Sequence, residues 1–207
     1  MMMRAGLKEI LAGVALLIAG CAPAFSFDAA TDAVLGSLKI GKVLHQNALT
    51  TLMSGSQRWC YDQQQNSCGW SDIYLDIGDE RVSYEGSTLW DEATEIAVVH
   101  ELALRDDRYV CEVAETATPT TRAIAVGSGQ PIGGRPLAEL KAEIGAAEAA
   151  DISYDCFDYV LISLAQNRES LILRQRQYIN GTTDAANDVS VTLHFDPTVA
   201  HSLKLRW

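Results

Sequence analysis

The sequence predicts an α+β fold in which two helices pack on a curved antiparallel β-sheet of meander type, stapled by disulfides. Three observations carry this expectation. Apolar residues recur at helical spacing in two separate segments, alternating stretches follow each of them, and four cysteines are spaced to cross-link turns and strands. The chain has 207 residues, 48% hydrophobic and 21% charged, which is enough apolar material for an ordinary globular core.

Between residues 31 and 53, Val34, Leu35, Leu38, Val43, Leu44, Ala48, Leu49 and Leu52 fall mostly three or four apart, with Gly55 beyond the end. That spacing predicts an amphipathic helix, with Gly36 or Gly41 as points of interruption. Asp72–Ile77 alternates, residues 78–80 turn, and Arg81–Tyr84 returns, giving a hairpin closed by Glu85-Gly86-Ser87. Thr94–Leu104 fits both periods, but the Val98-Val99 pair and the Asp106-Asp107 turn before Arg108–Val113 favour strands. Residues 116–135, rich in Thr, Pro and Gly, read as a loop between two halves, 32–115 and 136–207, of a single domain. Pro136–Ala149 reads as the second helix, with proline in its first turn. Residues 152–164, 170–179, 189–195 and 203–207 read as four strands whose short polar connections imply a meander.

The first thirty residues carry an export address. Arg4 and Lys8 precede the apolar run from Ile10 to Ala19, which is too short for a permanent span and has the form of a signal peptide over residues 1–20. Ile18-Ala19-Gly20-Cys21 resembles the lipobox of bacterial lipoproteins, although Ile18 stands where leucine is favoured. The resemblance covers four residues and implies cleavage before an acylated Cys21, with residues 21–31 as a tether. Ala22-Pro23-Ala24 and Ala24-Phe25-Ser26 also offer the small residues read by the ordinary signal peptidase, which would release a soluble periplasmic or secreted protein.

Setting Cys21 aside leaves Cys60, Cys68, Cys111 and Cys156, an even number for an oxidising compartment. Three pairings are open, and Cys60 with Cys68 and Cys111 with Cys156 is favoured. The first closes the polar run 61–67 between Trp59 and Trp70, and the second joins two expected strands. Neither has redox-motif or zinc spacing, so a structural role is expected.

No motif specifies a reaction. His100-Glu101 lacks the second histidine of a zincin, since Leu104 stands in its place, and His100 shares an apolar strand face with Val98 and Leu102. Residues 127–134 are glycine-rich ahead of a helix but lack the Lys and Ser or Thr of a phosphate loop. No cofactor or metal is expected. Sixteen basic residues against 27 acidic ones argue against nucleic-acid binding. Thirteen acidic residues between Asp72 and Glu115 are opposed only by Arg81, Arg105 and Arg108. The C-terminal quarter instead aligns Arg174, Arg176 and Tyr178 on one strand face, with His194 and Arg206 on polar faces of expected neighbours. These five residues form the candidate ligand-binding face, on the side of the sheet away from the helices.

These readings predict a non-catalytic binding or assembly module of the bacterial cell envelope, held to a membrane only through its lipid. An envelope protein, a small anionic ligand or a second copy would be its partner, steered by charge. The alternatives are an envelope hydrolase using Asp and Glu side chains, and a protein that encloses a lipid or other small ligand in an apolar pocket.

Overall fold

The computed structural model of the chain describes residues 27–113, 120–150 and 155–207. The signal segment, Cys21, most of the tether, the first part of the expected 116–135 loop and the first residues of the expected 152–164 strand lie outside the described residues.

In chain order, α1 (Ala29–Ser37) and α2 (Gln46–Gly55) precede β1 (Arg58–Tyr61), β2 (Ser67–Cys68), β3 (Trp70–Ile77), β4 (Arg81–Asp91), β5 (Thr94–Arg105) and β6 (Tyr109–Glu112). There follow β7 (Arg122–Ala125), β8 (Gln130–Ile132), α3 (Gly134–Ala150), β9 (Cys156–Leu164), β10 (Ser170–Ile179), β11 (Thr182–Thr183), β12 (Val189–His194), α4 (Pro197–Ser202) and β13 (Lys204–Leu205).

The sheet is not an open one covered by helices. Strands β4, β3, β1, β12, β10, β9, β6 and β5 pair in that order, and β5 pairs back onto β4, closing an eight-stranded antiparallel barrel. This overturns the α+β expectation. Two features hid the closure. The hairpin does not end at Glu85-Gly86-Ser87, because β4 runs through these residues to Asp91 along nearly the whole of β5. The ring is then completed by β1 with β12 and by β6 with β9, pairings remote in sequence that local periodicity cannot reveal. Beyond the ring, the expected loop carries the β7–β8 hairpin, which extends the first part of β5, and β11 folds back on β10.

The expected helix over 31–53 is divided in two for a structural reason. Strand β6 pairs with β9 only at Val110 opposite Phe157 and Cys111 opposite Cys156. The next stretch of β9 takes its partners from the inter-helix segment instead: Gly41 N donates to Leu161 O at 2.8 Å and Leu44 N to Tyr159 O at 2.9 Å. Gly41, at φ +77°, supplies the left-handed turn that starts this run. An uninterrupted helix would leave those carbonyls unpaired.

Alternation along each strand divides the barrel into inside and outside. At one end Leu35, Leu49, Leu52 and Met53 of the two helices join Trp59, Leu161, Leu193 and Phe195 in one buried cluster, so that end is filled. At the other, Leu140 and Ile144 of α3 pack with Ile96, Val98 and Ala123 beside the opening. Disulfides link Cys60 to Cys68 and Cys111 to Cys156, as the spacing predicted. The fourth expected strand shrinks to β13, which pairs in parallel with β2 outside the barrel. Residues 197–202 before it are helical, capped by the Asp196 carboxylate on Thr198 N and Val199 N.

Candidate functional site

The barrel is filled at the α2 end and open at the other, leaving a lumen of about 570 Å³. This volume is in the range of small-molecule sites, and eight strands enclose just enough room for side chains or one small ligand. Each barrel strand contributes inward positions. From β4 come Tyr84, Gly86, Thr88 and Trp90, and from β5 come Ile96, Val98, His100 and Leu102. Trp70 and Asp72 of β3, Tyr61 of β1, Phe157 and Tyr159 of β9, Gln175 and Gln177 of β10 and Val189 of β12 complete the wall, with Ile144 of α3 at the mouth.

The floor is polar. The Asp72 carboxyl, on a residue only 6% exposed, accepts from the Tyr61 hydroxyl. Gln175 Nε2 donates to the Tyr159 hydroxyl at 2.8 Å, and the hydroxyls of Tyr61, Tyr74 and Tyr159 interact with one another. Burial pushes the Asp72 carboxyl up to about 7, although the Tyr61 hydrogen bond pulls the other way. Burial likewise raises Tyr61 and Tyr74 well above their ordinary value and lowers His100, which is neutral at pH 7. Above the floor the walls are aromatic and aliphatic: Tyr61 stacks on Trp70 with centroids 4.9 Å apart, and Tyr84 stacks on His100 at 5.4 Å. Gly86 lies between them. A β-carbon there would meet Asp72 Oδ1 and Tyr84 at 3.5 Å and His100 at 3.7 Å. That gap can take a ligand atom in contact with a carboxyl oxygen and two rings.

Among the described residues lining the lumen, Asp72 and Glu112 are acidic and none is Lys or Arg. No three His, Cys, Asp or Glu side chains among the described residues gather closely enough to hold a metal ion.

The basic residues singled out in the sequence all lie on the outside of the barrel or beyond it, and each has a partner within the chain. Arg176 Nε and Nη2 donate to the two oxygens of Asp158, each at 2.7 Å. Arg108 Nε donates to the same carboxylate at 2.7 Å, and the Tyr178 hydroxyl donates to it at 3.0 Å. Burial alone would raise Asp158, but these bonds and both positive charges outweigh it and hold the carboxylate below its usual range. Arg174 pairs with Asp188 at 3.6 Å, and Arg206 pairs with Asp62. His194 is buried under Gln63, whose amide oxygen accepts from Nε2 at 2.8 Å. Arg174, Arg176 and Tyr178 do share a face, as alternation predicts, with Arg176 and Tyr178 gathered on one acid.

Sequence reasoning placed His100 on the inner face with Val98 and Leu102 but missed Asp72, Tyr61, Tyr159 and Gln175. Their signal was present: Trp70, Asp72 and Tyr74 share one phase of β3, so a carboxyl sat among aromatic residues on an inward face. No protein-family model matches the chain, and no curated protein matches it either.

Proposed function

We propose that this protein is a non-catalytic binding protein that takes one small, mostly apolar molecule into the barrel lumen. The carrying observation is a closed barrel plugged at one end, whose free interior combines aromatic walls with a few convergent polar groups on its floor. Such a cavity orients a ligand by its polar end and holds it by its apolar body. The outer basic residues are drawn into pairs with Asp158, Asp188 and Asp62. An anionic partner on that face would have to displace carboxylates of the chain itself, so the lumen is the better-supported site.

The two disulfides fit an oxidising compartment. With the signal-like N-terminus they support export, and the lipobox-like sequence ending at Cys21 supports a lipid anchor that holds the barrel at the cell envelope. Carriage or sensing of a small envelope molecule is the role that joins address and cavity.

The test is a fluorescence titration with the neutral apolar probe N-phenyl-1-naphthylamine, reading energy transfer from Trp70 and Trp90, which line the lumen. Saturable binding at one site per chain is expected, and Gly86→Leu, which fills the gap beside Asp72, should weaken it at least tenfold. Absence of saturable binding, or equal binding by the filled variant, contradicts the proposal.

A further inference from the structure

The lumen specifies the charge of what it holds. Its lining carries Asp72 on the floor and Glu112 higher up, with no Lys or Arg among the described lining residues. An anionic head would therefore be buried against a carboxyl with no cation nearby, the costliest arrangement available to it. A neutral head could accept or donate to the tyrosines. A cation finds more: a carboxyl oxygen at the Gly86 gap, ring carbons of Tyr84 and His100 bordering the same gap, and the stacked Tyr61 and Trp70 rings in the same lining. Aromatic faces attract cations, and the attraction grows where water is excluded.

Resting on the lumen-binding reading, we infer that the ligand is a small organic cation, an alkyl or aryl amine whose ammonium sits at the Gly86 gap against Asp72. Its apolar body then runs along Trp90, Val98 and Phe157 toward the mouth. The groups facing Asp72 are compatible with this. Tyr61, Tyr74 and Tyr159 are neutral at pH 7 and His100 carries no charge there, so none of them competes with the ammonium. Glu112 adds negative potential from β6. Without a cation, burial pushes the Asp72 carboxyl up to about 7, so it holds a proton well above the usual carboxylate range. Arrival of an ammonium displaces that proton, so binding and proton release are linked.

The test compares three molecules with one apolar body, octylamine, octanol and octanoate, by calorimetric titration of the disulfide-bonded protein at pH 8. Octylamine is expected to bind at least tenfold more tightly than octanol, with octanoate weakest. Asp72→Asn should bring octylamine to within about threefold of octanol. A second measurement needs no variant: octylamine binding in buffers of different ionisation enthalpy should release protons at pH 6 to 7, and the release should fade as pH is raised to 9. Octanoate binding as well as octylamine, or an ammonium preference that survives in Asp72→Asn, overturns the inference. Equal binding of octanol and octylamine by the wild type overturns it while leaving the lumen reading intact. Failure of all three molecules to bind removes both.

Discussion

Asp72 and Gly86 are partners across the β3–β4 pairing, and Asp72 Oδ1 stands 3.5 Å from where a β-carbon on Gly86 would be. The missing side chain is what leaves room beside the carboxyl on the lumen side, next to its hydrogen bond from Tyr61. A buried carboxyl without a cationic partner is costly to ionise, and burial accordingly pushes it up to about 7. The chain therefore retains at this one position a group that weakens the empty barrel and equips it for a ligand.

That cost is measurable as a pH dependence of stability. Asp72 binds its proton more tightly in the folded chain than in the unfolded one, where its value is about 4. Between pH 4 and 7 the folded state holds the extra proton, so its contribution to stability falls as pH rises and levels off above about 7. Asp72→Asn should accordingly be more stable than wild type by up to roughly 4 kcal/mol at pH 8, with the gap closing toward pH 4. Urea unfolding at both pH values checks this, and a gap that widens on acidification contradicts it.

Asp158 behaves in the opposite sense. Its folded value is depressed by Arg176 and Arg108, so its stabilisation is present above the unfolded value of about 4 and is lost as pH falls through the folded one. Asp158→Ala leaves two arginines and Tyr178 without their common acceptor and should cost roughly 3 kcal/mol at pH 7. The loss should shrink as pH falls below about 4, and binding of the naphthylamine probe should be unchanged once the variant is folded.

The Cys111–Cys156 bridge lies where the barrel wall is thinnest, since β6 and β9 share only two residue pairs. The bonded residues are 45 apart in sequence, and removing the cross-link by Cys111→Ser with Cys156→Ser should cost about 4 kcal/mol on the chain-entropy scale. Loss of Cys60–Cys68, which closes a separation of 8, should cost less, about 2.5 kcal/mol. Urea midpoints of the two double variants rank the bridges.

Mass spectrometry of the mature N-terminus tests the envelope address. The expected product begins at Cys21 and carries acyl chains; an unmodified start at Phe25 or Phe27 would indicate a soluble exported protein.

Local patterns were legible in the sequence where local forces decide them. The disulfide pairing, the β3–β4 hairpin, the run of β9, β10 and β12 and helix α3 follow from spacing, alternation and capping residues. Closure was not legible, because it depends on Trp59 meeting Leu193 across a long separation, and the Cys111–Cys156 link brings β6 to β9 without disclosing a ring. Gly86 misled for a related reason. Beside Glu85 and Ser87 it has the composition of a turn, yet it lies mid-strand, where the absence of a side chain opens the lumen. Arg174 and Arg176 drew attention by their charge, but a charge pattern does not disclose that Asp188 and Asp158 lie beside them. Asp72 was counted among thirteen acidic residues, and only three-dimensional burial separates it from the solvated ones.

The most direct measurement of the central claim is an amide NMR titration of the ¹⁵N-labelled protein with N-phenyl-1-naphthylamine. A ligand in the lumen should shift Trp70, Gly86, Val98, His100 and Gln175 together, at one site per chain, while Arg206 and the Asp62 loop stay in place. Shifts gathered around Arg206, His194 and the Asp62 loop with none at Gly86 and Val98, or no shifts at saturating probe, would contradict a lumenal site.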